Sequence, residues 1–492
     1  KSSGYNLWEF DMNHPMPSYL VAVVIGKYDK VIEYSESGIP LEMYYYPEDS
    51  LKVEPTYRYT KQLFDFLETE IGVAYPWQNY KQVPVHDFLY AGMENTTATI
   101  FSDDFLIDEM SFVDKNYVNV NAHELAHQWF GDLVTETSGT HHWLQEGFAT
   151  YYALLAERKA FGDDYFYWRL LEYAQELATQ DRVGNSTSLL DPKSSSTTFY
   201  KKGAWVLFAL RNKVGDEAFR QAVINYLNKH AYANVETDDF ISEVEKASGQ
   251  DFRAFVDKWI KDKTFYYEDA ELMLKSATPF IEEYLMVDCD TQNSKCDYYL
   301  NSWISDEAKR KIIAQVPDRV TIETFKNSLK VRQAIAQNLA FIKPELKSSF
   351  ESLLVDKSYV TQEAALYNLW VNFPEDREIY LNETKDIIGL SNRNVRILWL
   401  ALAIATPEYE AGSKSEYLEE LISYSSPVYN FEIRMQAFSI LETMDIINAD
   451  IVKNYQNARE HHNWRLVKFA KDFIQRHQED LRYRRIIKEL NP

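Results

Sequence analysis

Apolar and polar positions change their period several times along the 492-residue chain. Leu41, Met43 and Tyr45 alternate with polar or exposed neighbours, the two-residue period of a half-buried strand. Tyr57 to Glu70 instead carries its apolar residues at helical spacing. Near the start, Tyr19 to Ile25 reads as a strand ended by Gly26, so residues 1–34 look like the tail of a domain. Residues 35–115 mix strands with one helix, and Pro76, Pro84 and 90–95 mark loops and edge-type strands. From 116 to 262 the pattern is helical, broken by polar loops such as 183–198, and 263–303 forms a less regular link. From 304 to 492 apolar spacing repeats in helices of about a dozen residues. Examples are 331–342, 359–371, 393–405, 429–444 and 460–476. No strict repeat unit aligns, and a stack of helix pairs in the HEAT or armadillo style is the economical reading.

That length exceeds one ordinary core and predicts two to four domains. With 46% hydrophobic and 15% aromatic residues, long disorder has little room. The net charge of −23 repels phosphate backbones, which argues against nucleic acid as a partner. No apolar run approaches the roughly eighteen residues of a membrane helix, so no span is expected. The best candidate, Ile397 to Ala405, follows Arg396, stops near Pro407 and reads as a buried helix. The chain opens Lys-Ser-Ser-Gly, so its true start is expected to be missing and any signal peptide unreadable. Cys289 and Cys296 are either reduced thiols or a small local disulfide across a turn-like stretch. The disulfide would favour a periplasmic or secreted location over a cytoplasmic one. Oligomeric state is not readable.

Candidate chemistry centres on Asn121-Ala-His-Glu-Leu-Ala-His-Gln-Trp-Phe-Gly131. His123 and His127 are four residues apart, so on a helix they share one face and can hold one zinc ion. Glu124 lies beside them, placed to take a proton from a water on that ion and pass it to the leaving amine. Zinc in hydrolases accepts a carboxylate as third ligand, and Glu146 in Trp143-Leu-Gln-Glu-Gly-Phe-Ala lies nineteen positions beyond His127. His141 and His142 compete for that role. Adjacent loop residues point apart, however, and both read as bystanders.

These motifs together resemble the gluzincin family of aminopeptidase N. The resemblance implies a thermolysin-like α+β zinc peptidase domain over 35–262. It implies a β-rich N-terminal domain of which only the last strand is present, and an α-helical domain over 304–492. Gly92-Met93-Glu94-Asn95 matches the family's exopeptidase loop, whose Glu binds the free α-ammonium of the substrate. Phe199-Tyr200-Lys-Lys-Gly203-Ala matches a third signature, whose Tyr donates its hydroxyl to the oxyanion of the tetrahedral intermediate. The resemblance therefore implies catalytic Glu124 and Tyr200, one zinc per chain on His123, His127 and Glu146, and substrate-binding Gly92, Met93, Glu94 and Asn95. The partners it implies are peptides with a free N-terminus.

The chain departs from the family at Asp132 and Gln145, where relatives usually carry Asn, and at Ala153, where many carry Glu. Ser195 stands where the epoxide-hydrolase branch has Tyr, which argues against that activity. Two other functions compete with the aminopeptidase. A thermolysin-like endopeptidase would share zinc, Glu124 and Glu146 but have no use for Glu94. An inactive helical scaffold would have no use for the retained motif residues.

Overall fold

The computed structural model describes residues 7–291 and 293–490. Strands β1 (Asp29–Tyr34) and β2 (Pro40–Tyr45) form an antiparallel hairpin in which Asp29 faces Tyr45. In β2 the expected alternation appears, with Leu41 and Met43 buried and Glu42 and Tyr44 partly exposed. Helices α1 (Val53–Tyr57) and α2 (Thr60–Ile71) follow. On α2, Leu63, Phe64, Leu67 and Ile71 recur every three or four residues and are buried. Gly72 then ends the helix at φ 77°, the left-handed conformation that favours glycine.

Strands β3 (Tyr80–Val85), β4 (Gly92–Met93) and β5 (Ala98–Ser102) complete a five-stranded sheet of order β1-β2-β3-β5-β4. β2, β3 and β5 run parallel, whereas β4 pairs antiparallel with β5, Gly92 opposite Phe101 and Met93 opposite Ile100. β4 is thus an edge strand, and it will line the main cavity.

Tyr19–Ile25 is not a strand, contrary to the reading of its sequence. Ser18–Leu20 makes a 3-10 turn, and Val21, Val23 and Ile25 stand exposed with no neighbouring strand among the described residues. An apolar run becomes a strand only where another strand takes up the backbone hydrogen bonds. The link at 263–303 is also more regular than expected. It contains helices Tyr267–Ala277, Pro279–Met286 and Asn293–Leu300, and Cys289 and Cys296 are joined by a disulfide.

Helices α3 (Val118–His127), α4 (Trp143–Phe161), α5 (Asp163–Arg182), α6 (Gly203–Val214), α7 (Asp216–Lys229) and α8 (Thr237–Ser248) pack beside the sheet. α4 is buried without interruption from Trp143 to Glu157, the signature of a helix at the middle of a core. It packs against both α3 and α6. A π-helical turn, Thr197–Lys202, runs directly into α6.

The C-terminal half is helical. Leu329–Asn338, Tyr359–Asn372, Asn394–Ala405, Phe431–Thr443 and Trp464–His477 each pack on the next and share a second core. Acidic side chains of the first half meet the N-terminal ends of these helices, where backbone N–H groups and capping side chains need acceptors. Asp114 accepts from Ser358 Oγ (2.7 Å) and Val360 N (3.2 Å). Asp104 accepts from Asn430 Nδ2 (2.7 Å) and Asp87 from Phe431 N (2.9 Å). No helix among the described residues is long and apolar enough to cross a membrane.

Candidate active site

α3 presents His123 and His127 one turn apart, and the fourth residue of α4, Glu146, meets them. His123 Nε2 and His127 Nε2 are 3.1 Å apart, and each lies 3.3 Å from Glu146 Oε2. His127 Nδ1 lies 2.9 Å from the Phe130 carbonyl, to which it donates, so the Nε2 lone pair is left facing the other two atoms. Glu146 Oε2 is buried with no hydrogen-bond partner. Burial opposes ionisation of Glu146, yet the adjacent His127 and His123 hold its carboxyl well below the usual range.

Two imidazole nitrogens and a carboxylate oxygen at such separations repel one another unless a proton or a metal cation lies among them. Tetrahedral zinc ligands at about 2.0–2.1 Å from the ion stand about 3.3 Å apart. The three atoms therefore fit zinc in both chemistry and spacing.

This triad opens onto a cavity of about 1120 Å³, which Glu124, Gly92, Met93, Glu94 and Tyr200 also line. Glu124 backs onto β4 so closely that a Cβ on Gly92 would lie 2.5 Å from Glu124 Oε1. Burial pushes the Glu124 carboxyl well above its usual range. Tyr200 stacks its ring on His123, centroids 5.3 Å apart and planes 7° from parallel. Burial, reinforced by the charges of Glu146 and Glu124, raises the Tyr200 phenol, so it stays a hydroxyl donor at neutral pH. Glu94 is buried within 4.8 Å of Glu124 and His127. Asn95 does not face the cavity, and its Nδ2 donates instead to the Leu20 carbonyl (2.9 Å), tying the loop to the N-terminal segment.

Several residues here escaped the reading of the sequence. Tyr19 reaches the cavity from the N-terminal segment, and its hydroxyl accepts from Gln145 Nε2 (3.0 Å). Gln145 Oε1 in turn accepts from Glu136 N (2.9 Å). Gln128 pins the 94–97 turn by donating to the Glu94 carbonyl (3.3 Å) and accepting from Thr97 N (2.9 Å). Its place directly after His127 was the only local hint. His142, read as a bystander, stands with Nε2 at 3.5 Å from Glu146 Oε1 and Nδ1 at 3.0 Å from Glu136. His141 bonds Thr237 instead.

Residues 56–259 match the model of the peptidase family M1 domain. Over those residues the chain resembles an M1 peptidase domain. Its relatives include glutamyl aminopeptidase of Bos taurus, 32% identical over 267 residues, covering 51% of this chain and 28% of the relative. Aminopeptidase N of Streptomyces lividans is 32% identical over 278 residues, covering 52% of this chain and 32% of the relative. The chain thus spans about a third or less of the length of these curated relatives. A solved structure, native yeast LTA4 hydrolase, superposes on 96% of this chain and 70% of its own length with a TM-score of 0.56 at 18% identity. That likeness shows a common fold: a small mixed sheet, then a large helical region.

Proposed function

We propose that this chain is a zinc-dependent aminopeptidase removing N-terminal residues from peptides. The observation that carries the reading is the triangle of His123 Nε2, His127 Nε2 and Glu146 Oε2 opening onto a cavity that also holds Glu94. One zinc ion per chain, held by those three residues, would act as a Lewis acid on the scissile carbonyl and on water. Glu124 takes the proton of the attacking water on its carboxylate and delivers it to the departing nitrogen. The Tyr200 hydroxyl donates to the oxygen that gains negative charge, a contact made mainly in the transition state. Glu94 receives the α-ammonium in a charge-assisted hydrogen bond, and the β4 edge at Gly92 and Met93 lies along the bound peptide. Asn95 keeps that loop in place through Leu20. The consecutive packing of the C-terminal helices supports a HEAT-like stack, and the disulfide supports an extracytoplasmic location.

A thermolysin-like endopeptidase would use the same metal and base, and Glu94 separates the two. Free aminoacyl amides should be cleaved rapidly and their N-acetyl forms hardly at all. Glu94→Gln should weaken turnover of free-amine substrates while zinc content stays at the parent level. Comparable rates on acetylated and free substrates would establish an endopeptidase instead.

A further inference from the structure

Two motif glycines remain without a role in that chemistry. Gly147 follows the ligand Glu146 in α4, and Gly203 closes the π-helical turn that carries Tyr200. Neither has the positive φ that would call for glycine. Both sit inside helical segments, where glycine is among the weakest helix formers. What they provide is room. A Cβ on Gly147 would lie 2.9 Å from Gly203 Cα, 3.1 Å from its carbonyl carbon and 3.4 Å from the Phe199 carbonyl oxygen. A Cβ on Gly203 would lie 2.7 Å from Gly147 Cα and 3.5 Å from its nitrogen. The two backbones touch with no side chain between them.

We propose that Gly147 and Gly203 are a pair of positioning residues, their backbone contact setting the distance from the Tyr200 hydroxyl to the reaction centre on Glu146 and His123. Gly147 is covalently next to Glu146, and Tyr200 is three residues before Gly203. The contact therefore fixes one element directly against the other at the site. Any methyl group here meets backbone, which cannot swing aside as a side-chain end can. Ordinary carbon–carbon contact needs about 3.5–4.0 Å, so the Tyr200 turn must back away from α4 by roughly 1 Å. Displacements of that size remote from the chemistry can cost about 100-fold in rate. The ring of Tyr200 would also lose its flat stack on His123.

This inference rests on the aminopeptidase reading, and the experiment separates the two. Gly203→Ala and Gly147→Ala are made in the full chain, alone and combined with Tyr200→Phe. Turnover of free aminoacyl amides, zinc content and thermal midpoint are measured for each. Gly203→Ala is expected to lower kcat about 100-fold, with KM within about threefold and zinc at the parent level. In the Tyr200→Phe background the same substitution should change kcat by less than about threefold, because the hydroxyl it misplaces is already gone. Gly147→Ala should show the same dependence on Tyr200.

Equal losses in both backgrounds would mean general damage and overturn the proposal, as would unchanged kcat. If neither alanine variant gives a cooperative thermal transition, the contact is a folding requirement and the positioning role is likewise rejected. An inactive parent chain would instead remove the aminopeptidase reading itself, and this proposal with it.

Discussion

Replacing Gly92 by alanine would put a methyl group where the Glu124 carboxylate now lies. The new Cβ would stand 2.5 Å from Glu124 Oε1 and 2.7 Å from its Cδ and Cγ. Ordinary contact needs roughly 3.5 Å, so the carboxylate must retreat by about 0.8–1 Å. The obstructing atoms belong to the end of a flexible side chain, and Gly92 does not have positive φ. The sheet can therefore stay as it is, with a stability change within about 1 kcal/mol. Proton transfer is less tolerant, since a misplacement of about 1 Å can cost 100-fold, or about 2.7 kcal/mol in the barrier. The three atoms nearest the new methyl group all belong to Glu124 and none to the metal triad. Zinc content and thermal midpoint should consequently match the parent while kcat on a free aminoacyl amide falls about 100-fold. A kcat within about threefold of the parent, measured beside an inactive Glu124→Gln control, would refute the argument that Gly92 sets the position of Glu124. Loss of zinc would refute it too, by showing that the strain is relieved elsewhere.

Other expected outcomes follow from the same geometry. Glu124→Gln should keep its zinc and lose several orders of magnitude in turnover, because an amide cannot accept the proton; near-normal turnover would move the base elsewhere. Asp104, at the junction with the helical half, has its pKa raised to about 6 by burial, with the Glu432 charge adding to the shift. The folded state then holds a proton that the unfolded chain releases near pH 4, so this carboxyl makes the protein less stable as pH rises from about 4 to 6. Two units correspond to about 3 kcal/mol. Asp104→Asn keeps an acceptor for Asn430 and cannot ionise. Its thermal midpoint should exceed the parent's at pH 7.5 and converge with it at pH 4, and a constant offset at both pH values would reject the assignment.

The features legible in the sequence are those that repeat along a single element. Four-residue spacing puts His123 and His127 on one face whatever surrounds them, because 3.6 residues make a helical turn. The same period marked α2 and the C-terminal helices, and the two-residue period marked β2. Glu146 was nameable because its motif opens a helix that can return to the pair, though only the packing of α3 on α4 brings its oxygen to 3.3 Å. Tertiary structure decided everything that needs a partner distant in sequence. Tyr19–Ile25 is an unbroken apolar run ended by Gly26, yet it has no strand to pair with among the described residues. Tyr19 enters the cavity through Gln145, 126 residues away, and Asp104 meets Asn430 across 326 residues. Gly147 and Gly203 reveal their role only where two backbones touch. Periodicity records which side of an element is buried, because burial acts on each residue through its own backbone geometry. It does not record what lies on the other side of that contact, and the catalytic distances depend on that.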